Sequence, residues 1–472
     1  MPIGYPADNH SGYLGSTIVQ IKDPAVKQIT PANVADDGDG DGPVEEYDGE
    51  LAEGFRVRPA RVATAEPIGP VEPIEPRGDD MNPNEAVIVD AVRTPVGRRG
   101  GVLSQWHPAD LLGRTLSHLV DRAGIDPHDI DDVIAGCVLT QDQQWGNIAR
   151  HAVLAAGLPE SVPAVTVDRQ CGSGQQAISF AAQGIASGYY NVVIAGGVES
   201  MSQVPLPAAF VPGAPLGPWY SPAELARYAG ELRPQGESSE LMNQKFDITR
   251  EELDAFSQRS HARALAATAA GAFRDQMVPL PADPAGVGAR VIDRDEGIRE
   301  HVDPEKMAQL RTAFAADGRT TAANSSQVSD GAAALMITSR AYAEEHGLRA
   351  RARFRSLAVA GADPVVQFSA ILESSRRALA QSGLSIADID RFEVNEAFAG
   401  VPLMFQMEFG VADDQLNVNG GSVAIGHPLG STGARMMTDL LVELERSTSR
   451  LGLLTVCEAH GTANTTIIER LD

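Results

Sequence analysis

Three thiols occur in the 472 residues, Cys137, Cys171 and Cys457, and their neighbours suit them to different work. Cys171 stands in CGSGQQA, after an apolar run ending at Val167 and before a stretch of helix formers. A thiol at such a turn lies beside unpaired N–H groups and the positive end of a helix dipole, which favour thiolate. Cys171 is therefore a candidate nucleophile, although a tight turn that simply needed a small residue would look similar. Cys137, in DVIAGCV, reads as buried and inert. Cys457 ends the apolar segment LGLLTV, where a second thiol could shuttle protons while the first attacks. Three cysteines without ligand spacing build neither a disulfide framework nor a metal site, so no metal is expected. His427 lies in NGGSVAIGHPLGSTG, where a rigid Gly-rich loop would aim its ring as a base, and Asn395 and Glu396 in EVNEAF could hold a water or supply an amide donor.

An internal repeat places these groups. GIDPHDIDDVI, Gly124 to Ile134, matches GLSIADIDRFE, Gly383 to Glu393, at an offset of 259 residues, and the same offset lays CGSGQQA on GSTGARM, with Gly174 on Gly433. His427 falls three residues before the position matching Cys171. Each copy reads strand, Gly-rich turn, helix, strand: AVTVDRQ, QQAISFAAQGIASG, NVVIAGGV in the first, and QLNVNGG, ARMMTDLLVELER, RLGLLTVCEA in the second. Two similar α/β layers follow, and a pseudo-twofold would bring Cys171 and His427 from opposite halves into one site. The copy opens with the strand AVIVDAVRTPVG and the helix LLGRTLSHLVDRAG. Residues 202–312 interrupt it with Pro-rich turns and an amphipathic helix, EELDAFSQRSHARALAATAAG, before AALMITS returns to the first half.

The formal charge is −25, with 43% hydrophobic and 21% charged residues, a balance that suits a soluble α/β protein and disfavours nucleic acid and anionic lipid as partners. Neither a membrane-spanning run nor a secretory signal is read, so a cytoplasmic location is expected. Residues 1–80 hold 16 acidic against 6 basic residues and no sustained period, which reads as a disordered acidic tail dispensable for folding, with Met81 able to serve as a start. Within it Asp37, Asp39, Asp41, Gly42 and Asp48 partly fit a calcium loop, but Pro43 and the missing flanking helices favour a solvated linker.

CGSGQQA, NEAF, NVNGGSVAIGHPLGSTGAR and a C-terminal cysteine followed by a glycine-bearing turn, in that order, resemble the thiolase family over about Met81 to Asp472. The resemblance implies an α/β thiolase fold: duplicated βαβαβαββ halves in a five-layered αβαβα arrangement with an inserted loop domain. The expected divisions are 81–201 with 313–345 for the N-terminal half, 202–312 for the insertion and 346–472 for the C-terminal half. It implies an acyltransferase that cleaves 3-ketoacyl-CoA with CoA, or runs the reverse Claisen condensation, through an acyl-cysteine. On that resemblance Cys171 is acylated, His427 activates it, and Cys457 passes the second proton. Asn395 holds a water that forms one oxyanion hole with His427, and the backbone N–H groups of Cys171 and Ala459 form the other. Ser326, Ala397 and Phe398 line the path of the CoA arm. CoA thioesters are substrates, no cofactor is expected, and the family's assemblies imply a homodimer or homotetramer, with a β-oxidation partner subunit left open.

One departure stands out. The family's Cys-x-Gly-Gly-Gly-x-Gly is here CEAHGTA, Cys457 to Ala463. Ala459 still supplies an N–H, but His460 brings an imidazole to a turn the family builds from glycine. It is strained if its φ is positive, and it is expected to narrow the acyl pocket unless it points away. EAHGT also resembles the histidine motif of decarboxylating ketoacyl synthases, and the altered turn keeps a catalytically silent acyl-CoA-binding or partner-binding scaffold as an alternative.

Overall fold

The computed structural model describes residues 82–206, 220–286, 288 and 290–471, together with the backbone of two short strands, Gln20–Lys22 and Ala25–Lys27. Those two strands pair antiparallel inside a first unit, Met1–Glu72. The rest of residues 1–80, including the partial calcium loop, lies outside the described residues. All that follows concerns the second unit, Pro73–Asp472.

The first half runs β1 (Ala86–Arg93), α1 (Pro108–Ala123), β2 (Asp132–Gly136), α2 (Ile148–Ala155), β3 (Ala164–Val167), α3 (Ser173–Ala186) and β4 (Val192–Ser200). After the inserted helices α4 (Gln235–Lys245) and α5 (Arg250–Ala269), β5 (Ser329–Ser339) returns between β1 and β4, antiparallel to both. The second half repeats the order: β6 (Ala352–Gly361), α6 (Ala370–Ser382), β7 (Arg391–Val394), α7 (Gly400–Phe409), α8 (Leu429–Arg446), β8 (Leu451–Glu458) and β9 (Thr462–Arg470). The strands lie in the order β7-β8-β9-β6-β1-β5-β4-β2-β3. The halves meet edge to edge at β6 and β1, Ala352 opposite Ile88 and Arg353 opposite Val87. Arg351 fastens that seam, reaching Asp90 at 2.9 Å and Glu445 at 2.6 Å.

The 259-residue repeat persists in single hydrogen bonds. α1 and α6 both end on a left-handed glycine, Gly124 and Gly383, each at φ 68°. Asp131 then accepts from the N–H groups of Asn191 and Val192, and Asp390 accepts from those of Arg450 and Leu451. α1 and α2 cover one outer face and α6 and α7 the other, while α3 and α8 share the centre, giving five layers. The central pair is close because glycine lets it be: a Cβ on Gly174 would sit 2.7 Å from the Gly430 carbonyl, and one on Gly433 2.5 Å from the Gln175 nitrogen.

One expected strand is absent. In QLNVNGG only Leu416 bridges to Phe392. Asn417, at φ 45°, replaces the ladder with its side chain, whose Oδ1 accepts from Val394 N–H at 2.8 Å and whose Nδ2 donates to Val394 O at 2.9 Å. The edge of β7 is thus closed by an amide side chain, and the chain is free to turn at once toward His427.

Candidate active site

Cys171 occupies the turn between β3 and α3, held open by Gln170 at φ 51°. Ser173 cross-braces that turn: its hydroxyl donates to Gln170 O at 2.6 Å and accepts from Arg169 N–H at 2.9 Å. The thiol is buried, 5% exposed, and the expected drift toward thiolate is not found. Burial pushes it up to about 12, and the carboxyl groups of Glu458, Glu199 and Asp168 add to the effect. The positive end of α3 is outweighed chiefly by lost hydration, to which these carboxyl groups add when they are ionised.

His427 reaches the same cavity from the loop before α8. Its backbone N–H is held by Gln327 O at 3.1 Å, and its Nδ1 lies 2.7 Å from Thr432 Oγ1. The Thr432 hydroxyl already donates its one hydrogen to Pro428 O at 2.8 Å. It must therefore accept from His427, which places the proton on Nδ1 and leaves the Nε2 lone pair free. Nε2 has no partner among the described residues, and burial together with Arg435 holds the ring down to about 3. The resting pair is a neutral thiol and a neutral base.

Asn395 is oriented in the same manner. Its Oδ1 accepts from the Ser422 hydroxyl at 2.7 Å, and Ser422 in turn receives Arg435 Nη2 at 3.2 Å, so among the described residues Nδ2 has no partner in full hydrogen-bond geometry. Cys457, fully buried at the end of β8, lies close enough to Asn395 and Cys171 to feel both: burial and Cys171 push its thiol up, while Asn395 pulls it down. Cys137, by contrast, sits with its sulfur 3.7 Å from Glu199, pushed far up by burial and that carboxylate.

A cavity of about 450 Å³ is lined by Cys171, His427, Ser326, Ala397 and Phe398, with Gln170 at its rim and an apolar wall from the insertion and both halves. Ser326 N–H donates to Ala397 O at 3.0 Å, which ties the two polar and apolar walls together. Cys457, Asn395 and Ala459 do not line it.

His460 does not line it either, which corrects the expectation of a narrowed acyl pocket. Its φ is 60°, so the anticipated strain is present. Its ring points to the surface, where Nδ1 lies 3.4 Å from Gln170 Nε2 and the Tyr220 ring stands edge-on. Its N–H donates to Gln367 Oε1 at 3.1 Å.

Sequence reasoning missed Thr432, Ser422, Asp168 and Glu458. The repeat held a signal for two of them, because the offset that pairs Cys171 with Gly430 also pairs Asp168 with His427 and Glu199 with Glu458. Among the described residues there is no group of three or more His, Cys, Asp or Glu able to hold a metal ion, and no helix long and apolar enough to cross a membrane.

Comparison with known proteins agrees with this geometry. Residues 86–341 match the model of the thiolase N-terminal domain, and residues 348–470 that of the thiolase C-terminal domain. A steroid 3-ketoacyl-CoA thiolase of Mycobacterium tuberculosis is 47% identical over 404 residues, 84% of this chain and 97% of that protein. A 3-ketoacyl-CoA thiolase of Bacillus subtilis is 41% identical over 388 residues, 80% of this chain and 97% of that protein. The crystal structure of the Bacillus anthracis acetyl-CoA acetyltransferase superimposes with a TM-score of 0.73 at 38% identity, covering 82% of this chain and 99% of that one. With a duplicated fold, a buried thiol and a free imidazole nitrogen in one cavity, and family matches across both halves, the chain belongs to the thiolase family.

Proposed function

We propose that the protein is an acyl-CoA acyltransferase that cleaves 3-ketoacyl-CoA with CoA, and runs the reverse Claisen condensation, through an acyl group on Cys171. The observation that carries this reading is the unpartnered Nε2 of a neutral His427 in one cavity with the Cys171 thiol. Nε2 takes the thiol proton as sulfur attacks the 3-keto carbon. The C2–C3 bond breaks, acyl stays on Cys171, and the departing acetyl-CoA enolate receives a proton from Cys457. CoA then gives its thiol proton to Cys457 and attacks the acyl group, and the Cys171 thiolate regains its proton from His427. Developing charge on oxygen is met by two sets of donors: a water held by Asn395 with His427, and the N–H groups of Cys171 and Ala459. Ser326, Ala397 and Phe398 hold the CoA arm. CoA and acyl-CoA are substrates, and no other cofactor is invoked.

Asn395 stands where a decarboxylating synthase would need its histidine, and the thiolase matches span both halves, so neither that reading nor the silent scaffold is favoured. A cytoplasmic location and a homo-oligomer belong to the same proposal. β3 is an outer strand of the sheet, and Val165 upon it is exposed, as are Trp145, Leu154 and Phe180; an unpaired edge with exposed apolar side chains is suited to cover by a second copy.

The test is CoA-dependent cleavage of a panel of 3-ketoacyl-CoAs, with ring-bearing ones first because the steroid thiolase shares 47% identity. Acid quenching and peptide mapping should place the acyl group on the Cys171 peptide, and Cys171→Ala should abolish both. Acyl label on Cys137 or Cys457 alone, or turnover of malonyl thioesters in place of thiolysis, would overturn the proposal.

A further inference from the structure

Glu199 and Glu458 hold equivalent places in the two halves, 259 residues apart, at the ends of β4 and β8. Their surroundings differ. Glu199 accepts from the N–H groups of Val138 and Leu139 at 3.0 Å, from Gly430 N–H at 2.8 Å and from Gln144 Nε2 at 2.7 Å. It thereby ties the start of α8 to the loop after β2. The same offset pairs Gly430 with Cys171, so the pseudo-twofold turns Glu458 toward the nucleophile's own turn. There a Cβ on Gly172 would collide with Glu458 Oε1. The Glu458 side chain is fully buried, and among the described residues neither of its carboxyl oxygens has a partner in full hydrogen-bond geometry, the Thr462 hydroxyl being near enough only to favour its charge.

A carboxyl so placed cannot be indifferent to its proton. Burial pushes Glu458 up to about 8, with Thr462 and Arg169 pulling the other way and Asp168 reinforcing burial. Glu458 is the largest charge effect upon Cys171 and also acts upon Cys457. The groups that face the pair are Asp168 and Arg169 before α3, Cys457 on the same strand, Glu199 across the axis and His427 in the loop before α8.

We propose that Glu458 is a positioning residue for the nucleophile, packed as a neutral acid against Gly172 while Cys171 reacts, and governing when Cys171 can become a thiolate. As the pH rises Glu458 loses its proton to solvent. A buried carboxylate then stands beside Cys171, and a second negative charge on sulfur is disfavoured. Glu199 is also pushed up by burial, but its oxygens are engaged by four N–H donors and it holds the start of α8, not the Cys171 turn, so it has no such role.

The proposal rests on Cys171 being the reactive thiol, and alkylation of the full-length protein by iodoacetamide, mapped to individual cysteines, tests the two separately. For a lone thiol below its pKa the rate rises tenfold per pH unit. In the native protein the Cys171 rate should rise by clearly less than that through pH 8. In Glu458→Gln the break should vanish, with the rate at pH 9.5 about three- to tenfold above native and rates at pH 6.5 within about twofold. A native curve that rises tenfold per unit straight through pH 8 overturns the proposal, and that measurement stands even if the variant does not fold. A variant with the native break overturns it too. Alkylation confined to Cys137 or Cys457 overturns the assignment of Cys171 and the proposal with it.

Discussion

His460 meets Tyr220 edge to face, with ring centroids 5.6 Å apart and planes at 86°. The imidazole therefore links the turn after Cys457 to the inserted segment, and through Gln170 it touches the rim of the cavity next to Cys171. His460→Gly removes both contacts while relieving a left-handed backbone that glycine adopts freely. The ratio of kcat/KM between short and bulky 3-ketoacyl-CoAs should shift by about three- to tenfold, with the best substrate retained within about tenfold. Uniform collapse on every substrate would make His460 part of the chemistry, and an unchanged ratio would leave it a surface contact.

Thr432 determines which nitrogen of His427 carries the proton. Thr432→Val removes the acceptor, and His427 is free to present an N–H to the thiol where a lone pair is required. We expect kcat to fall about ten- to a hundredfold, ~1.4–2.7 kcal/mol of barrier, with KM changed little. Thr432→Ser should recover most of the loss. A variant whose KM rises while kcat holds would show that Thr432 shapes substrate binding and not the base.

Acid should weaken the fold through its buried imidazoles. His427 is held down to about 3 and His261 to about 4, each chiefly by burial, whereas both titrate near 6.5 when unfolded. Below that value the unfolded chain takes up protons that the folded one refuses, so stability is lost as pH falls from about 6.5 toward 4. Glu458, held up to about 8, has the opposite sign: its burial costs stability as pH rises from about 4.5 to 8. His261 accepts Arg299 N–H at 3.2 Å and lines no part of the cavity. In His261→Gln the fall in Tm between pH 7 and 5 should be smaller than in the native protein, and an equal fall would assign the acid sensitivity elsewhere.

A chain beginning at Met81 should keep thiolytic activity and Tm, since every proposed site residue and both copies of the repeat lie beyond it. Loss of either on truncation would show that the acidic segment supports the fold.

Much of this site is legible before any coordinates, and the reasons it is legible also mark where reading stops. Cys171 and His427 could be paired because a fixed offset survives through glycine positions that backbones cannot forgo, as the Gly174–Gly430 approach demonstrates. QLNVNGG looked like a strand because its apolar residues alternate, yet a side-chain amide can impersonate a ladder partner, and nothing in the residue types distinguishes the two uses of Asn417. The thiolate expectation for Cys171 considered the helix it precedes and not the carboxyl groups brought to it from β4 and β8, which are non-local. The direction of the His460 ring was undetermined for the same reason: a turn fixes φ, while Tyr220 and Gln170 fix where the side chain goes.

The place of β5 has a consequence for how the protein is made. β5 lies between β1 and β4, is buried along its whole length and follows the entire insertion. A nascent chain therefore emerges from the ribosome with two apolar strands of its first half facing an empty slot, through all the residues from 201 to 328. Pairing across so long a separation is slow and leaves sticky edges exposed to other chains. Synthesis stalled before Ser329 should yield a first half open to proteolysis, and stalling after Ser339 has cleared the exit tunnel should yield a protected one. Equal sensitivity at both points would mean that β1 and β4 find shelter without β5.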